Sequence, residues 1–356
     1  MKILLVSDLY PLKKDKTIPF VLEDFTLAIK DFGVEVVVLR PNFIINSLIR
    51  SHKIFKDGIY MQNGVKIYNK NYFLPCICED FKFIEEKFDL IISHMPFGHI
   101  CADLINRKMN LARISILHQS DYQVLFDWKY SFYFRNRLKK ALENSSLIGA
   151  RNNFLKEKLC ADFLLPSFIE KDKILEKKEI KNKDKIKIIT LSKLIRRKNL
   201  DIVIRALNEV DFDFEYEIYG DGKEKNNLEN LIKKYNLQNK IKIYPYLEHK
   251  LIYEKLDEND VFILPSINET FGVSYLEAMA RGLIVVGCKN TGIDGFIENE
   301  KEGFLIEPNK EEMIRVLNKI NSLDKQKMFE VVLRKIRDFE KEKIMTKYFE
   351  NIKKIL

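Results

Sequence analysis

The sequence predicts an α/β protein with two doubly wound domains, and two observations support this prediction. First, short apolar, β-branched segments alternate with longer amphipathic ones, beginning with KILLVS (2–7), PFVLEDFTLAIKDF (19–32) and VEVVVL (34–39). Continuous apolar strands separated by helices are typical of parallel sheets covered on both faces. Second, a charged segment, residues 169–187, interrupts the alternation before it resumes, which divides the 356 residues into two domains of ordinary size.

The first domain is expected to span residues 1–168. Gly33 is placed to end the first helix. Further strands are predicted at three apolar segments, FDLIIS (88–93), ARISIL (112–117) and SSLIGA (145–150). Residues 41–75 have no regular period, and we expect them to leave the sheet.

The second domain is expected to span residues 188–337, and the charged segment 169–187 to form a solvated linker before it. Five apolar segments have the length of strands: IKIITL (186–191), FEYEIYG (214–220), KIKIYP (240–245), DVFILP (260–265) and LIVVG (283–287). The end of the chain is helical and strongly charged, with no strand after it. We therefore expect a C-terminal helix, residues 338–356, to pack back on the first domain.

Composition and charge exclude several classes of protein. Apolar residues make up 46% and charged residues 32% of the chain, which is too apolar for a disordered protein. The net charge of +9 is scattered and no recognition motif accompanies it, so we expect no nucleic-acid partner. No apolar run approaches the roughly 20 residues of a membrane span, and none resembles a signal peptide. We expect a cytoplasmic protein, with peripheral attachment to the cytoplasmic face of the inner membrane left open.

The five cysteines do not form a disulfide framework or a metal site by their spacing. Cys76 and Cys78 are a lone C-x-C pair, without a second pair or a histidine at zinc spacing. We therefore expect all five to be reduced thiols.

The most informative segment is DVFILPSINETFGVSYLEAMARG (260–282), in which a buried strand is followed by a polar loop and a helix. The amides of Phe271, Gly272 and Val273 are expected to be the unpaired donors of the helix N-terminus, which makes an anion site. Gly272 lacks a Cβ and would let a ligand approach the backbone. Glu269 lies in the loop, and Glu277 lies about one turn into the helix.

Two carboxylates beside an anion site need an explanation, because they repel phosphate. Carboxylates accept pairs of hydrogen bonds from the vicinal hydroxyls of sugars and riboses. Glu269 and Glu277 therefore indicate a nucleotide-sugar site. The alternative for Glu277 alone is a solvent-facing side chain on an ordinary helix.

The segment ETFGVSYLEAMARG resembles the Glu-x7-Glu motif of the retaining glycosyltransferases of family 4, the group 1 enzymes. LSKLIRRKNLDIVIRAL (191–207) and YEIYGDGKEKNNLENLI (216–232) are similar to other segments of that family's donor domain. The resemblance implies the GT-B fold, in which two Rossmann-like domains face each other across a cleft. It also implies a hexosyltransferase that moves a sugar from a nucleotide-diphosphate donor to a hydroxyl acceptor without a metal or cofactor.

The resemblance also assigns roles to residues of the second domain. Glu269 would contact the transferred sugar, Glu277 the ribose hydroxyls, and the amides of Phe271, Gly272 and Val273 the phosphate and sugar oxygens.

Two lysines would neutralise the charge that develops on the diphosphate. Lys198 matches the family pattern, whereas Lys193 stands where the family usually has arginine, so a point charge replaces a bidentate fork. Arg196 and Arg197 are neighbours that either compensate or are solvated. Asp211-Phe212-Asp213 has the form of a metal-binding Asp-x-Asp motif, but it precedes a strand, and we interpret it as a turn.

In the first domain the string HQSD (118–121) resembles the family's His-Gly-Ser-Asp, with Gln119 in place of glycine. The resemblance places His118 near the reacting sugar and makes it a candidate catalytic residue. Asp121 and His94 are weaker candidates for the acceptor side. The family's Gly-Gly pair after the first strand is replaced by Thr17-Ile18-Pro19, so acceptor contacts cannot be transferred there.

The segment WKYSFYFRNRLKK (128–140) mixes aromatic and basic residues. It fits both an interfacial membrane helix and an ordinary helix with a solvated basic face. Relatives often glycosylate lipid-linked acceptors, so the function expected is the assembly of a bacterial polysaccharide, lipooligosaccharide or glycolipid. The alternatives are a nucleotide-sugar epimerase, another GT-B enzyme such as a phosphorylase, or a non-catalytic protein that binds sugar nucleotides.

Overall fold

A computed structural model describes residues 1–12, 21–44, 54–73, 84, 86–128, 130–178 and 185–356. It divides the chain into two compact units. The first unit consists of Met1–Arg151, Leu155–Leu165 and Met345–Leu356, and the second of Asn152–Phe154 and Pro166–Ile344. Thr17-Ile18-Pro19, Cys76 and Cys78 lie outside the described residues.

The first unit is built on an eight-stranded sheet in the order β3-β4-β2-β1-β5-β6-β7-β8. Its strands are β1 (Lys2–Val6), β2 (Glu35–Phe43), β3 (Gly58–Gln62), β4 (Val65–Tyr72), β5 (Leu90–His94), β6 (Ala112–Leu117), β7 (Leu147–Ala150) and β8 (Phe163–Leu164). All neighbours pair in parallel except β3 and β4. The helices between them are α1 (Val21–Asp31), α2 (Pro96–Met109), α3 (Gln119–Phe126), α4 (Phe132–Glu143) and α5 (Asn153–Lys158).

The prediction that residues 41–75 leave the sheet is wrong for most of the described part, residues 41–43, 58–62 and 65–72. β4 pairs with β2 in parallel, and the β3–β4 hairpin extends the sheet at that edge. The sequence shows no regular apolar pattern here, because polar side chains of β2 and β4 form hydrogen bonds with each other inside the protein. The Arg40 guanidinium donates to the side-chain oxygen of Asn69 at 2.7 Å, and the Asn42 amide donates to that of Asn71 at 2.6 Å.

The C-terminal helix, α12 (Lys341–Ile352), packs on the first unit through aromatic rings. Tyr348 lies edge-on to Phe25 of α1, with 5.3 Å between ring centroids, and Phe349 stacks on Phe32 at 5.1 Å. The return of the helix to the first domain is therefore confirmed. Large apolar rings on an otherwise charged helix supply the buried area that keeps it there.

The second unit is built on a six-stranded parallel sheet in the order β11-β10-β9-β12-β13-β14. Its strands are β9 (Ile186–Leu191), β10 (Phe214–Tyr219), β11 (Ile241–Tyr244), β12 (Val261–Ile263), β13 (Ile284–Cys288) and β14 (Phe304–Ile306). Its helices are α6 (Leu200–Leu207), α7 (Lys225–Lys234), α8 (His249–Asp257), α9 (Val273–Ala280), α10 (Lys310–Ser322) and α11 (Lys325–Ile336). Two Rossmann-like sheets therefore confirm the predicted fold class.

The start of the predicted linker is not solvated but packed on the second unit. Ile169 and Ile174 are buried in its core. The backbone of Ile169 exchanges hydrogen bonds with the segment before α12, donating to Phe339 O at 2.9 Å and accepting from Lys341 N at 3.0 Å. The isolated isoleucines in this charged run explain the difference, since each has apolar area to bury. Residues 179–184 of the predicted linker lie outside the described residues.

The strand order determines where ligands can bind in each unit. In the second unit the order reverses between β9 and β12, and in the first between β1 and β5. Doubly wound sheets bind ligands outside the carboxyl ends of the strands at such reversals, because the flanking helices lie on opposite faces and leave a crevice.

Candidate functional site

In the second unit, two loops meet where the strand order reverses. One follows β9 and contains Lys198, and the other follows β12 and contains Glu269. The Ile267 amide donates to the Arg197 carbonyl at 2.9 Å, and the Asn199 side chain donates to the Pro265 carbonyl at 2.9 Å. These bonds fix the two loops against each other.

The Glu269 carboxylate is held by three side chains. Its Oε2 accepts hydrogen bonds from Lys198 Nζ, from Arg197 Nη1 at 3.3 Å and from Ser266 Oγ at 3.1 Å. Burial alone would raise the pKa of Glu269, but the positive charges of Lys198 and Arg197 outweigh it and lower the pKa. The carboxylate is therefore ionised at neutral pH.

The two predicted lysines differ in environment. Lys198 is buried, and burial, helped by the charge of Arg197, lowers its pKa although Glu269 opposes the shift. Lys193 is exposed, and its side chain forms no ion pair with any residue that the structure describes. Arg197 instead supplies the second cation beside Glu269, at 3.3 Å from Oε2, so it is not simply solvated.

The backbone of Glu269 is fixed from the loop that follows the neighbouring strand β13. Its amide donates to Thr291 Oγ1 at 2.6 Å, and its carbonyl accepts from the Gly292 amide at 2.9 Å. The Asn152 side chain donates to the Thr270 carbonyl at 2.6 Å. The loop is therefore rigid on both sides of the carboxylate.

The start of α9 has the features expected of an anion site. The amides of Phe271, Gly272 and Val273 donate to no acceptor within the described part of the chain. Gly272 has a φ of +85°, and a Cβ there would lie 2.7 Å from the Tyr275 ring, so only glycine fits. The Phe271 side chain is buried against Phe296 and belongs to the core, which leaves its amide as the only group available to a ligand.

Glu277 lies on α9 and is mostly buried, with 11% of its side chain exposed. Its Oε1 lies 3.7 Å from Nε2 of His249, which begins α8 and is exposed. Sequence patterns do not single out His249, because one histidine among charged residues is uninformative. Its position shortly after the carboxyl end of β11 is the signal that could have indicated it.

In the first unit, His94 and His118 end the neighbouring strands β5 and β6. His94 Nδ1 and His118 Nε2 are 3.0 Å apart, and both residues are buried. Burial holds the pKa of each histidine well below its ordinary value, and the positive charge of Arg151 adds to both shifts. Both rings are therefore neutral at physiological pH.

Asp121 is fully buried beneath His118, not placed on a surface for an acceptor. Its Oδ2 accepts from the His118 amide at 2.7 Å, and its Oδ1 lies 3.4 Å from His99 Nε2. His99 continues this network through Nδ1, 2.8 Å from Ser93 Oγ. Asp121 and His94 are both buried and contact the loop and the ring of His118, and their acceptor-side role stays a prediction.

Arg151 is a further residue that the sequence did not indicate. It follows β7 directly and is buried, and burial lowers its pKa to about 10. Three neighbouring strands, β5, β6 and β7, thus end in His94, His118 and Arg151. The shared signal is a polar residue just after an apolar strand.

The aromatic–basic segment at 128–140 has two faces. Phe134 and Leu138 of α4 are buried, whereas Trp128 and Phe132 are 89% and 76% exposed. Three basic residues remain toward solvent or half-buried, Arg137, Lys139 and Lys140. The fourth, Arg135, donates to the Asp127 carbonyl at 2.6 Å.

No helix in the described ranges has the length and apolarity needed to cross a bilayer.

No cluster of three or more metal-ligating side chains occurs among the residues that the structure describes. The Asp-x-Asp string lies at the amino end of β10, where Asp213 pairs with Lys240 at 2.7 Å. It is therefore at the opposite edge of the sheet from Glu269. Cys101, Cys160 and Cys288 are free thiols.

Residues 171–341 match the family model described as glycosyl transferases group 1. Among curated proteins, WcaL of Escherichia coli K12, named for colanic acid biosynthesis, is 32% identical over 133 residues, which are 35% of this chain and 33% of that protein. The glycosyltransferase MJ1178 of Methanocaldococcus jannaschii is 26% identical over 340 residues, 89% of each chain. The alignment with WcaL thus spans only a third of that relative's length.

The fold also matches a solved structure, that of Anabaena HepE in complex with UDP and glucose. The TM-score is 0.73 at 17% identity, and the match covers 99% of this chain and 100% of HepE. The two Rossmann-like sheets thus have the GT-B architecture. The matched segment, residues 171–341, contains both motif glutamates and Lys198, and over this segment the chain is similar to the group 1 glycosyltransferases.

Proposed function

We propose that the protein is a retaining glycosyltransferase that moves a hexose from a nucleotide-diphosphate sugar to a hydroxyl acceptor without a metal ion. The observation that carries the proposal is the Glu269 carboxylate, held by Lys198 and Arg197 close to the unpaired amides at the start of α9. Two cations beside the N-terminus of a helix are suited to binding an anion such as a diphosphate.

A diphosphate at the start of α9 would meet these cations and amides. Lys198 and Arg197 would then exchange part of their contact with Glu269 for contact with phosphate oxygens. The carboxylate would become free to accept hydrogen bonds from the hydroxyls of the transferred sugar. Fixed charges of this kind stabilise a leaving diphosphate without reorganisation during the reaction.

Glu277 would bind the ribose. Its buried carboxylate is one helical turn from the proposed phosphate site and can accept from two vicinal hydroxyls. HepE, which shares this fold, was solved with UDP and glucose bound, which supports a nucleotide-sugar donor for this chain. His118, by its resemblance to the family's histidine, would contact the transferred sugar.

The glycan context of the relatives supports a role in surface glycan assembly. WcaL is named as a glycosyltransferase of colanic acid biosynthesis. An acceptor carried on a lipid would suit the exposed aromatic–basic patch of Trp128, Phe132, Arg137, Lys139 and Lys140. Each basic residue beside an anionic surface contributes about 1 kcal/mol, so the patch would hold the protein weakly and reversibly.

The donor-site proposal is tested with Lys198→Ala and EDTA. A nucleotide sugar is first selected by thermal shift, and its turnover is then measured with and without EDTA. We expect full activity in EDTA, retention of the anomeric configuration by NMR, and a loss of roughly 10²-fold or more in rate for the variant. Dependence on Mg²⁺ or Mn²⁺ would contradict metal independence, and an inverted anomer would contradict retention.

The membrane proposal is tested by co-sedimentation with anionic and neutral liposomes at low and high salt. Charge reversal of Arg137, Lys139 and Lys140 should leave the protein in the supernatant. A matched reversal of three exposed lysines of the second unit, Lys223, Lys233 and Lys234, should not. Equal release by both variants would show a general charge effect and contradict a specific surface.

A further inference from the structure

His94 and His118 lie on neighbouring strands but contact each other at one point only. β5 and β6 pair in parallel with His94 opposite Ile116, so His118 comes two residues after the paired position. The contact joins His94 Nδ1 and His118 Nε2 at 3.0 Å, which is the length of a hydrogen bond. One ring nitrogen of His118 is thereby occupied by another imidazole.

Two neutral imidazoles can share only one proton in such a contact. One nitrogen donates and the other accepts, so the tautomer of one ring decides the tautomer of the other. Adding a second proton would place a cation in a buried site that already contains the charge of Arg151. The pair therefore behaves as one neutral unit with a defined orientation.

His94 is itself held in place. Phe25 lies edge-on to its ring, with 5.4 Å between centroids, and Phe25 also contacts Tyr348 of α12. His94 Nε2 is buried and has no hydrogen-bond partner in the described ranges. Among the described residues, the bond to His118 is therefore the only hydrogen bond of this fully buried ring.

The backbone directly after His94 is strained. Met95 has φ +69° and ψ 155°, a conformation found almost only in glycine. Such strain is stored where the surrounding structure needs one specific geometry, and it is concentrated at functional sites. The turn from β5 into α2 thus keeps His94 at the carboxyl edge beside His118.

We propose that His94 is a positioning residue, whose Nδ1 holds the neutral His118 ring in one tautomer and one orientation. This inference rests on the proposed function, in which His118 contacts the transferred sugar. A neutral ring held in this way keeps one fixed orientation toward the transferred sugar. Loss of the hydrogen bond from His94 would affect the reaction step more than donor binding, since the donor would be bound by the second unit.

Two variants separate the hydrogen bond from the packing. His94→Asn keeps a polar atom close to the position of Nδ1, while His94→Phe keeps the ring that Phe25 contacts but removes the nitrogen. His94→Gln places its amide nearer the position of Nε2 and serves if the Phe variant does not fold. The chain has only five histidines, so [15N]His labelling gives few ring signals.

The first readout is the ring nitrogen shifts of His118, which need no substrate. We expect a neutral ring with unequal nitrogens in the wild type, nearly unchanged in His94→Asn and shifted toward mixed tautomers in His94→Phe or His94→Gln. Unchanged His118 shifts in the Phe and Gln variants would overturn the proposal.

The second readout is the release of UDP from a UDP-sugar selected by thermal shift. His94→Phe should lower kcat ten- to a hundredfold with KM within threefold, and His94→Asn should recover most of kcat. Equal loss in both variants would overturn the proposal, because packing would then explain it. A wild type that releases no UDP contradicts the proposed function alone, since the ring shifts still decide whether His94 positions His118.

Discussion

The candidate residues of the two units differ in how they are held. In the second unit, Glu269, Lys198 and Arg197 are ionised and bind one another through opposite charges. In the first unit, His94 and His118 are neutral and are held by one hydrogen bond and by packing. Burial alone does not explain the difference, because Lys198 is buried as well. Lys198 has a carboxylate partner, whereas no carboxylate in the described ranges contacts the rings of His94 and His118.

This difference predicts two kinds of response to substitution. Charges act over several ångströms and tolerate movement of a flexible lysine. A neutral hydrogen bond depends on direction and is lost when the ring turns. We therefore expect charge changes in the second unit to have the larger effects and to depend on salt, and changes in the first unit to act through geometry.

The largest effect is expected for Glu269→Gln. The neutral amide cannot match the carboxylate's hydrogen bonds to sugar hydroxyls, so the rate should fall roughly 10²–10³-fold, as when one transition-state contact is removed. The same change frees Lys198 and Arg197 for phosphate, so UDP should bind as tightly as to wild type or more tightly. Steady-state kinetics and calorimetry with UDP measure the two effects.

The control for this prediction is Glu307→Gln, which removes an exposed carboxylate whose only ion pair in the described ranges, to Lys289, is 3.8 Å long. It should leave both the rate and the affinity for UDP unchanged. If Glu269→Gln instead weakens UDP binding tenfold, the carboxylate supports the phosphate site and does not compete with it.

The second unit was the more predictable from the sequence, and the reason is local. Glu269, Gly272 and Glu277 lie within nine residues, so one strand–loop–helix segment displays the chemistry. The contact of Arg197 with Glu269 could not be predicted, because the side chains of Arg196 and Arg197 point in different directions. Only the geometry of the loop decides which of the two faces Glu269.

The first unit was less predictable, because its contacts join distant segments. The hairpin of β3 and β4 was missed since Asn69 and Asn71 are satisfied by β2, which no local pattern shows. The contact of His94 with His118 depends on strand register, and Arg151 is marked only by its position after β7. Candidate strand ends could be found from the sequence, but their pairing could not.

The next effect in size is expected for Glu277→Ala. The ribose would lose a buried charged acceptor, which costs on the order of 1.5–3 kcal/mol of nucleotide affinity. UDP binding by calorimetry should weaken accordingly, while binding of inorganic diphosphate should not change. His249→Ala is the comparison, since its ring is exposed and should contribute less. Equal loss for UDP and diphosphate would place Glu277 outside a ribose site.

A pH-dependent loss of stability is expected in the first unit. The folded-state pKa of His94 and His118 lies well below the ordinary value, so the unfolded chain takes up two more protons once the pH falls below about 6.5. Stability is therefore constant above that pH and decreases below it, by about 2 kcal/mol between pH 6.5 and 5.5. Urea unfolding measures this change in the free energy of unfolding, and hydrogen exchange of the β5 peptide assigns it to the first unit.

His94→Asn should remove about half of this pH dependence, because one of the two titrating rings is gone. The second unit provides the internal control, since a peptide from β12 should not show the same two-proton dependence in this range. If the β5 peptide shows no pH dependence, one or both rings are already protonated in the folded protein.

The smallest effect is expected for Arg197→Gln, and its neighbour provides the control. Arg197 reaches Glu269 at 3.3 Å but 41% of its side chain is exposed, so solvent screens part of its charge. UDP affinity should fall by roughly three- to tenfold, equivalent to about 0.7–1.4 kcal/mol, and the fall should shrink as salt is raised. Arg196 belongs to the same short helical turn but lines a separate groove with Arg205 and Glu224. Arg196→Gln removes the same charge. Equal losses of UDP affinity in both variants would mean that only net charge matters. A loss confined to Arg197→Gln would show that the direction of the guanidinium decides donor binding.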